Sequence, residues 1–199
     1  MLLLTGIIAE AQISVWDGSR KIWTKGKGTE TDPYLIESAE QLAFLSYMVN
    51  KSFDTQGLFF RLTTDIDLNG CEDQPWKPIG LYDKGFDEDG CDRGLLNDVG
   101  YNPSAFRGHF DGSNHVISNI YVDNEGGYAG LFGYADSRIE DETAVIENLW
   151  LSNGNIYGGT CGGIIGQGSR CKVINCRNGA EIEGWRVGGI FGKRRHNGS

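Results

Sequence analysis

Asp65, Asp67, Arg107, His109 and Asp111 are the residues whose types could cut a polysaccharide. Such chemistry needs clustered carboxylates, as an acid–base pair or as calcium ligands, with a base or cation close by. Their local patterns favour structural duty. Asp65 and Asp67 alternate with Ile66 and Leu68, which places them on the solvent face of a half-buried strand. Asp111-Gly112 is ordinary turn chemistry. Asp65-x-Asp67-x-Asn69-Gly70 opens like a calcium loop, so Asp65, Asp67 and Asn69 are the candidate metal ligands. The twelfth position, however, is Trp76 where a bidentate Glu is needed. No cofactor is expected beyond that partial calcium pattern. A zinc peptidase would need two imidazoles around a glutamate base. The three histidines are His109, His115 and His196, and none is followed by Glu.

Sugar recognition needs exposed aromatic platforms. Tyr121, Trp150, Tyr157 and Trp185 fall in or near turns between short apolar segments and are the candidate ligand-binding residues. Trp150 is expected to fill a corner of the core. For Trp185 the two readings, platform and corner filler, stay open. Five cysteines are present. Cys71 and Cys91 flank an acidic, glycine-rich stretch and could staple it. Cys161, Cys171 and Cys176 are expected as buried free thiols. No C-x-x-C pair occurs, which argues against structural zinc.

These residues sit on a repeating framework. Ala129-Gly130-Leu131-Phe132-Gly133 returns as Gly162-Gly163-Ile164-Ile165-Gly166 and as Gly188-Gly189-Ile190-Phe191-Gly192. Gly130 to Gly163 is 33 residues, and Gly163 to Gly189 is 26. Repeats of this period predict a solenoid, in which each coil buries its apolar side only against its neighbours. Val145-Ile146-Glu147-Asn148-Leu149 matches Lys172-Val173-Ile174-Asn175-Cys176, with Asn119 read as a third copy. The spacing predicts about three short strands per coil and a ladder of stacked Asn amides. The 30 glycines, against four prolines, fit many tight turns.

One helix is predicted, over about 38–50. Ser38 with Gln41 forms a capping-box pattern, and Leu42, Leu45, Met48 and Val49 make one apolar face. It would cover the open end of the first coil. Strands are expected at Trp16–Trp23, Leu58–Thr63, Thr64–Leu68, Phe106–Phe110 and His115–Val122. Residues 82–102 read as an acidic loop inserted between coils. Leu2 to Ile8 followed by Ala9-Glu10-Ala11 resembles an export signal with cleavage after Ala11, so residues 1–11 are set aside and 12–192 taken as the domain. The apolar run is too short to span a membrane. Lys193 to Ser199 is expected to be a truncated or disordered tail. A net charge of −9 argues against nucleic acid as a partner.

Several motifs together carry a family resemblance. They are Gly28-Thr29-x-x-Asp32-Pro33-Tyr34-Leu35-Ile36, the Glu40-Gln41-Leu42 helix, Leu62-x-x-Asp65-Ile66-Asp67-Leu68, Trp76-x-Pro78-Ile79-Gly80, Phe106-x-Gly108-x-Phe110-Asp111-Gly112 and the Gly-Leu-Phe-Gly repeats. Over residues 26–192 the chain resembles the GLUG-motif proteins, exported bacterial proteins similar to the non-catalytic β-helix region of IgA-cleaving metallopeptidases. The resemblance implies an all-β fold, a right-handed parallel β-helix (solenoid) with one N-terminal capping helix and with Trp76 packed under the cap. It implies a secreted, cell-surface or periplasmic location and no catalytic residues. The expected function is a non-enzymatic, adhesin-like surface module that binds glycan or protein. The alternatives are a polysaccharide lyase or hydrolase using Asp65, Asp67, Asp111 and Arg107, and a site-less spacer of a larger surface peptidase. A homo-oligomer through an open C-terminal coil is also expected.

Overall fold

The computed structural model describes residues 13–81, 104–137 and 143–194. The expected signal at 1–11, the expected loop at 82–102, Cys91 and residues 195–199 lie outside the described residues. The described chain is mostly strand with one helix. In order it forms β1 (Ser14–Val15), β2 (Tyr34–Ile36), α1 (Ala39–Asn50), β3 (Phe59–Leu62), β4 (Ile66–Asp67), β5 (His109–Asp111), β6 (Val116–Ser118) and β7 (Ile120–Ala129). Then come β8 (Phe132–Asp136), β9 (Ala144–Glu147), β10 (Trp150–Leu151), β11 (Gly154–Gly162), β12 (Ile165–Ser169), β13 (Cys171–Ile174), β14 (Arg177–Asn178), β15 (Glu181–Gly188) and β16 (Phe191–Arg194).

These strands make four sheets, and every pairing between named strands is parallel. Sheet 1 is β2-β3-β5-β9-β13 and sheet 2 is β1-β4-β6-β10-β14. Sheet 3 is β7-β11-β15 and sheet 4 is β8-β12-β16. From β5 onward the chain visits sheets 1, 2, 3 and 4 in rotation, three times over. A circuit therefore has four strands where the sequence predicted about three. The difference lies in the glycine motif itself: Gly130-Leu131 turns the chain, and Phe132 already starts β8.

Like residues stack from circuit to circuit, which is how a thin fold makes a core. In sheet 1, Phe60, Phe110, Ile146 and Val173 are register partners. In sheet 2, Ile66, Ile117 and Leu151 form the column. In sheet 3 it is Val122, Ile156 and Ile182. In sheet 4 it is Ile79, Phe132, Ile165 and Phe191. All but Val173, Ile182 and Phe191 are buried. Each fully buried side chain of this size stabilises by roughly 1.5–3 kcal/mol.

α1 is capped by Ser38, whose hydroxyl accepts from the Gln41 N–H at 3.4 Å. The Gln41 side chain reaches one residue further back than a capping box requires, accepting from the Glu37 N–H at 2.6 Å. Leu42, Leu45 and Val49 are buried, as their spacing predicts. Two polar side chains then fasten the helix to the chain after Trp76. The Ser46 hydroxyl donates to the Lys77 carbonyl at 2.6 Å, and Asn50 donates to the Pro78 carbonyl at 2.9 Å. Trp76 is buried there, with its indole N–H on the Leu131 carbonyl at 3.1 Å.

Other expectations shift. The lead-in strand is Ser14–Val15 and not Trp16–Trp23. Phe106 makes only an isolated bridge to Ala135, and the strand proper begins at His109. The run His115–Val122 is broken at Asn119, whose φ of 54° is left-handed. Lys193 and Arg194, expected in the tail, continue β16 beside Gln167 and Gly168. The chain leaves the described residues after Leu81 and returns at Ser104. Both flanking bridges, Ile79 to Phe132 and Phe106 to Ala135, fall on β8.

Candidate functional site

Sheet 3 positions the aromatic candidates. Its inward residues are Val122, Ile156 and Ile182, so alternation turns Tyr121, Asp123, Asn155, Tyr157, Glu181 and Glu183 outward. The registers make two cross-strand rows, Tyr121–Asn155–Glu181 and Asp123–Tyr157–Glu183. The two tyrosine rings meet diagonally, with centroids 6.0 Å apart and planes at 60°. Trp185 follows Glu183 by two positions and is 87 % exposed. Among the described residues it makes no ring contact. Glycines flank its level of the sheet, since Gly184 pairs with Gly158. Partial desolvation, then the carboxylates of Glu72 and Asp123, push the Tyr121 hydroxyl up, so it stays a hydrogen-bond donor at neutral pH. The face is aromatic and acidic.

Trp150 stands apart. It lies on sheet 2 between Val116 and Arg177, and it is 45 % exposed instead of filling a corner. Three of the four nominated aromatics therefore share a sheet, and the fourth does not.

The carboxylates are spent on neighbouring circuits. Asp65 accepts from the Val116 N–H at 2.9 Å and pairs with His115 Nδ1 at 2.9 Å. Asp67 accepts from the Asn69 N–H at 2.7 Å and from the Asn119 amide at 2.9 Å. Asp111 accepts from the Asn148 amide at 3.1 Å, from the Ser113 N–H at 2.8 Å and from Arg61 Nε at 3.1 Å. Arg107 is buried and donates to the Ala105 carbonyl at 2.9 Å. His109 Nε2 sits 2.7 Å from Glu147 Oε1. Asp67 could join a calcium sphere only by giving up amide donors, and among the described residues no three His, Cys, Asp or Glu are grouped to hold a metal.

Two amide ladders emerge where one was expected. Asn175 donates to Asn148 at 2.9 Å, and Asn148 to Asp111. At the next corner Asn153 donates to Asn119 at 2.5 Å, and Asn119 to Asp67. Asn119 thus belongs to a second corner and is not a third copy of Asn148.

The protonation of these carboxylates opposes a general-acid role, which needs a raised pKa. The Val116 N–H, with His115, outweighs burial and holds Asp65 below the usual carboxylate range. Burial pushes Asp111 up, but hydrogen bonds from Asn148, Ser113 and Arg61 together hold it low. A group whose folded pKa lies below its unfolded value of about 3.9 contributes stability that is whole above that value and lost as pH falls through the folded one. Thermal melts are expected to hold a plateau down to about pH 5 and to drop below about pH 4, and Asp111→Asn is expected to flatten part of that drop. Circular dichroism melts from pH 7 to pH 3 measure it; an acid limb unchanged in Asp111→Asn contradicts the assignment.

Sequence reasoning missed Asp136. Burial raises its carboxyl, against Arg170 at 3.1 Å and the Tyr134 hydroxyl at 3.3 Å. It closes β8 at a position that otherwise reads as core, so no pattern marks it. Of the cysteines, Cys71 is exposed, Cys161 and Cys171 are buried and Cys176 is half-buried, all as free thiols. Burial pushes the Cys161 thiol up to about 11.

No protein-family model matches this chain, and no solved structure does. It is 29 % identical over 174 residues to Halomucin of Haloquadratum walsbyi, covering 86 % of this chain and 2 % of that protein. It is 28 % identical over 143 residues to a protein of Evansella cellulosilytica named as a Gly-rich membrane protein, covering 70 % of this chain and 13 % of the relative. The chain thus spans a small part of the curated relatives it matches. No helix among the described residues is long and apolar enough to cross a membrane.

Proposed function

We propose that this chain is an exported surface module, a right-handed β-helix, that binds glycan or protein through the outer face of sheet 3. The observation that carries it is Trp185, 87 % exposed on the sheet that also pairs Tyr121 with Tyr157. Exposed aromatic rings grouped on one sheet face offer a stacking surface for a ligand. The GLUG-type motifs, the repeat length and the export-like start support a place at the cell surface or in the periplasm. The relatives' names, Halomucin and a Gly-rich membrane protein, agree with that place. No enzyme is proposed, because Asp65, Asp67 and Asp111 are engaged in joining circuits.

The test is binding to arrayed mucin glycans and surface proteins, wild type against Trp185→Ala and Tyr157→Ala. Each variant is expected to weaken binding by about tenfold, near 1.4 kcal/mol, at unchanged melting temperature. Binding that both variants retain in full, or no binding to any arrayed ligand, rejects the lateral-face reading. A site-less spacer would give the second result.

A further inference from the structure

Away from sheet 3, an open cleft of about 600 Å³ runs between α1 and the Asp73–Lys77 segment. The volume falls within the ~300–1,000 Å³ of ordinary ligand clefts. Its accessible apolar wall is formed by Tyr47, Pro75 and Leu81, and beneath it the buried Trp16 and Trp76 meet edge to face, 5.6 Å apart. Its charge is opposite to that of the molecule. Arg20, Lys51 and Lys77 line it with Asp73 as the single carboxylate, in a chain of net charge −9. Among the described residues none of these three cations makes an ion pair. The Arg20 guanidinium is also placed, lying 4.2 Å over the Tyr47 ring, and Tyr47 forms part of the helix wall. A stacked guanidinium keeps its planar fork free for a carboxylate at little further entropic cost.

We propose that this cleft is a second binding site, for a hexuronate oligosaccharide. The Tyr47, Pro75 and Leu81 wall takes the C–H face of the sugar rings, Arg20 takes a carboxylate in bidentate fashion, and Lys51 and Lys77 neutralise its neighbours. The site is independent of sheet 3, whose acidic outer face disfavours the same ligand.

The chain has five tryptophans, so a ¹⁵N-labelled sample reports both sites through its indole N–H signals. Titration with a galacturonate trimer is expected to move the Trp16 and Trp76 signals and to leave Trp185 in place. Arg20→Ala and Lys77→Ala, both at exposed positions, are each expected to weaken binding by about tenfold, and salt well above 0.15 M to weaken it further. The methyl-esterified trimer is expected not to bind. The proposal is overturned by the absence of shifts at millimolar trimer, by shifts at Trp185 instead, or by unchanged affinity in Arg20→Ala. A sulfated trimer or an acidic peptide that binds more tightly overturns the hexuronate assignment.

Discussion

Phe132→Ala is expected to destabilise the protein by about 3–5 kcal/mol, the range for removing a buried phenylalanine. Phe132 is fully buried and central in its column. It pairs with Ile79 before it and Ile165 after it, and its ring meets Phe106 at 5.0 Å and Phe110 at 5.4 Å. The cavity would open between the circuit that carries Trp76 and the two that follow. Where each circuit packs mainly on its neighbours, stability is approximately a sum of circuit and interface terms. Losing this interface should therefore uncouple the two halves as well as weaken them. Phe191→Ala is the comparison, because Phe191 holds the same register on β16 but is only half-buried. It should cost less than half as much. Phe132→Leu keeps most of the volume and should cost below about 1.5 kcal/mol. For a chain of this size the Ala variant is expected to melt about 10 °C lower, with hydrogen exchange faster on both sides of β8. Equal losses for Phe132→Ala and Phe191→Ala would show that position in the stack does not matter, and the additive picture would fail.

The repeat was legible because the columns demand it. Residues at one register must be small at the turn and apolar in the core, so Gly-Leu-Phe-Gly returns wherever sheet 3 hands the chain to sheet 4. Even the irregular period is structural. Of the seven residues by which the first interval exceeds the second, six lie between Asp136 and Ala144, where the later circuit has only Arg170 between Ser169 and Cys171. The seventh lies between Leu151 and Asn155, against Asn178 and Glu181. Strand number was not legible, because a strand that starts inside the glycine motif carries no alternation of its own. The side on which a residue emerges was legible only where strands are regular. Tyr121 and Tyr157 follow alternation, whereas Trp150 lies on a two-residue strand too short to show a period. Roles set by contacts across 27 to 61 positions, as at Asn175, leave no trace in local spacing. The cleft beside α1 is of this kind: Arg20, Tyr47 and Lys77 are remote in sequence and meet only once the helix is fastened down.

The amide ladder makes the second large prediction. Asn148 has φ 53° and stands between Asn175, which donates to it at 2.9 Å, and Asp111, to which it donates at 3.1 Å. Asn tolerates this left-handed backbone, and its side chain is at once acceptor and donor, so it can pass the ladder on. Asn148→Gly keeps the backbone and removes the ladder. The loss is expected to be about 1–2 kcal/mol, since one of the two bonds is to a carboxylate. Asn148→Ala removes the same bonds and adds the left-handed penalty of about 1–2 kcal/mol, for roughly 2–4 kcal/mol in all. The gap between the two variants isolates the backbone term. Asn148→Asp should be the worst of the three at neutral pH, because it sets a second carboxylate against Asp111 with no donor between them. Its deficit should shrink as pH falls below about 4, when one carboxyl takes a proton and can donate to the other. Denaturant melts of the three variants at pH 7 and at pH 4 give the ranking. An Asp variant as stable as wild type at pH 7, or one whose deficit grows on acidification, would mean that the side chains at this corner do not hold the circuits together.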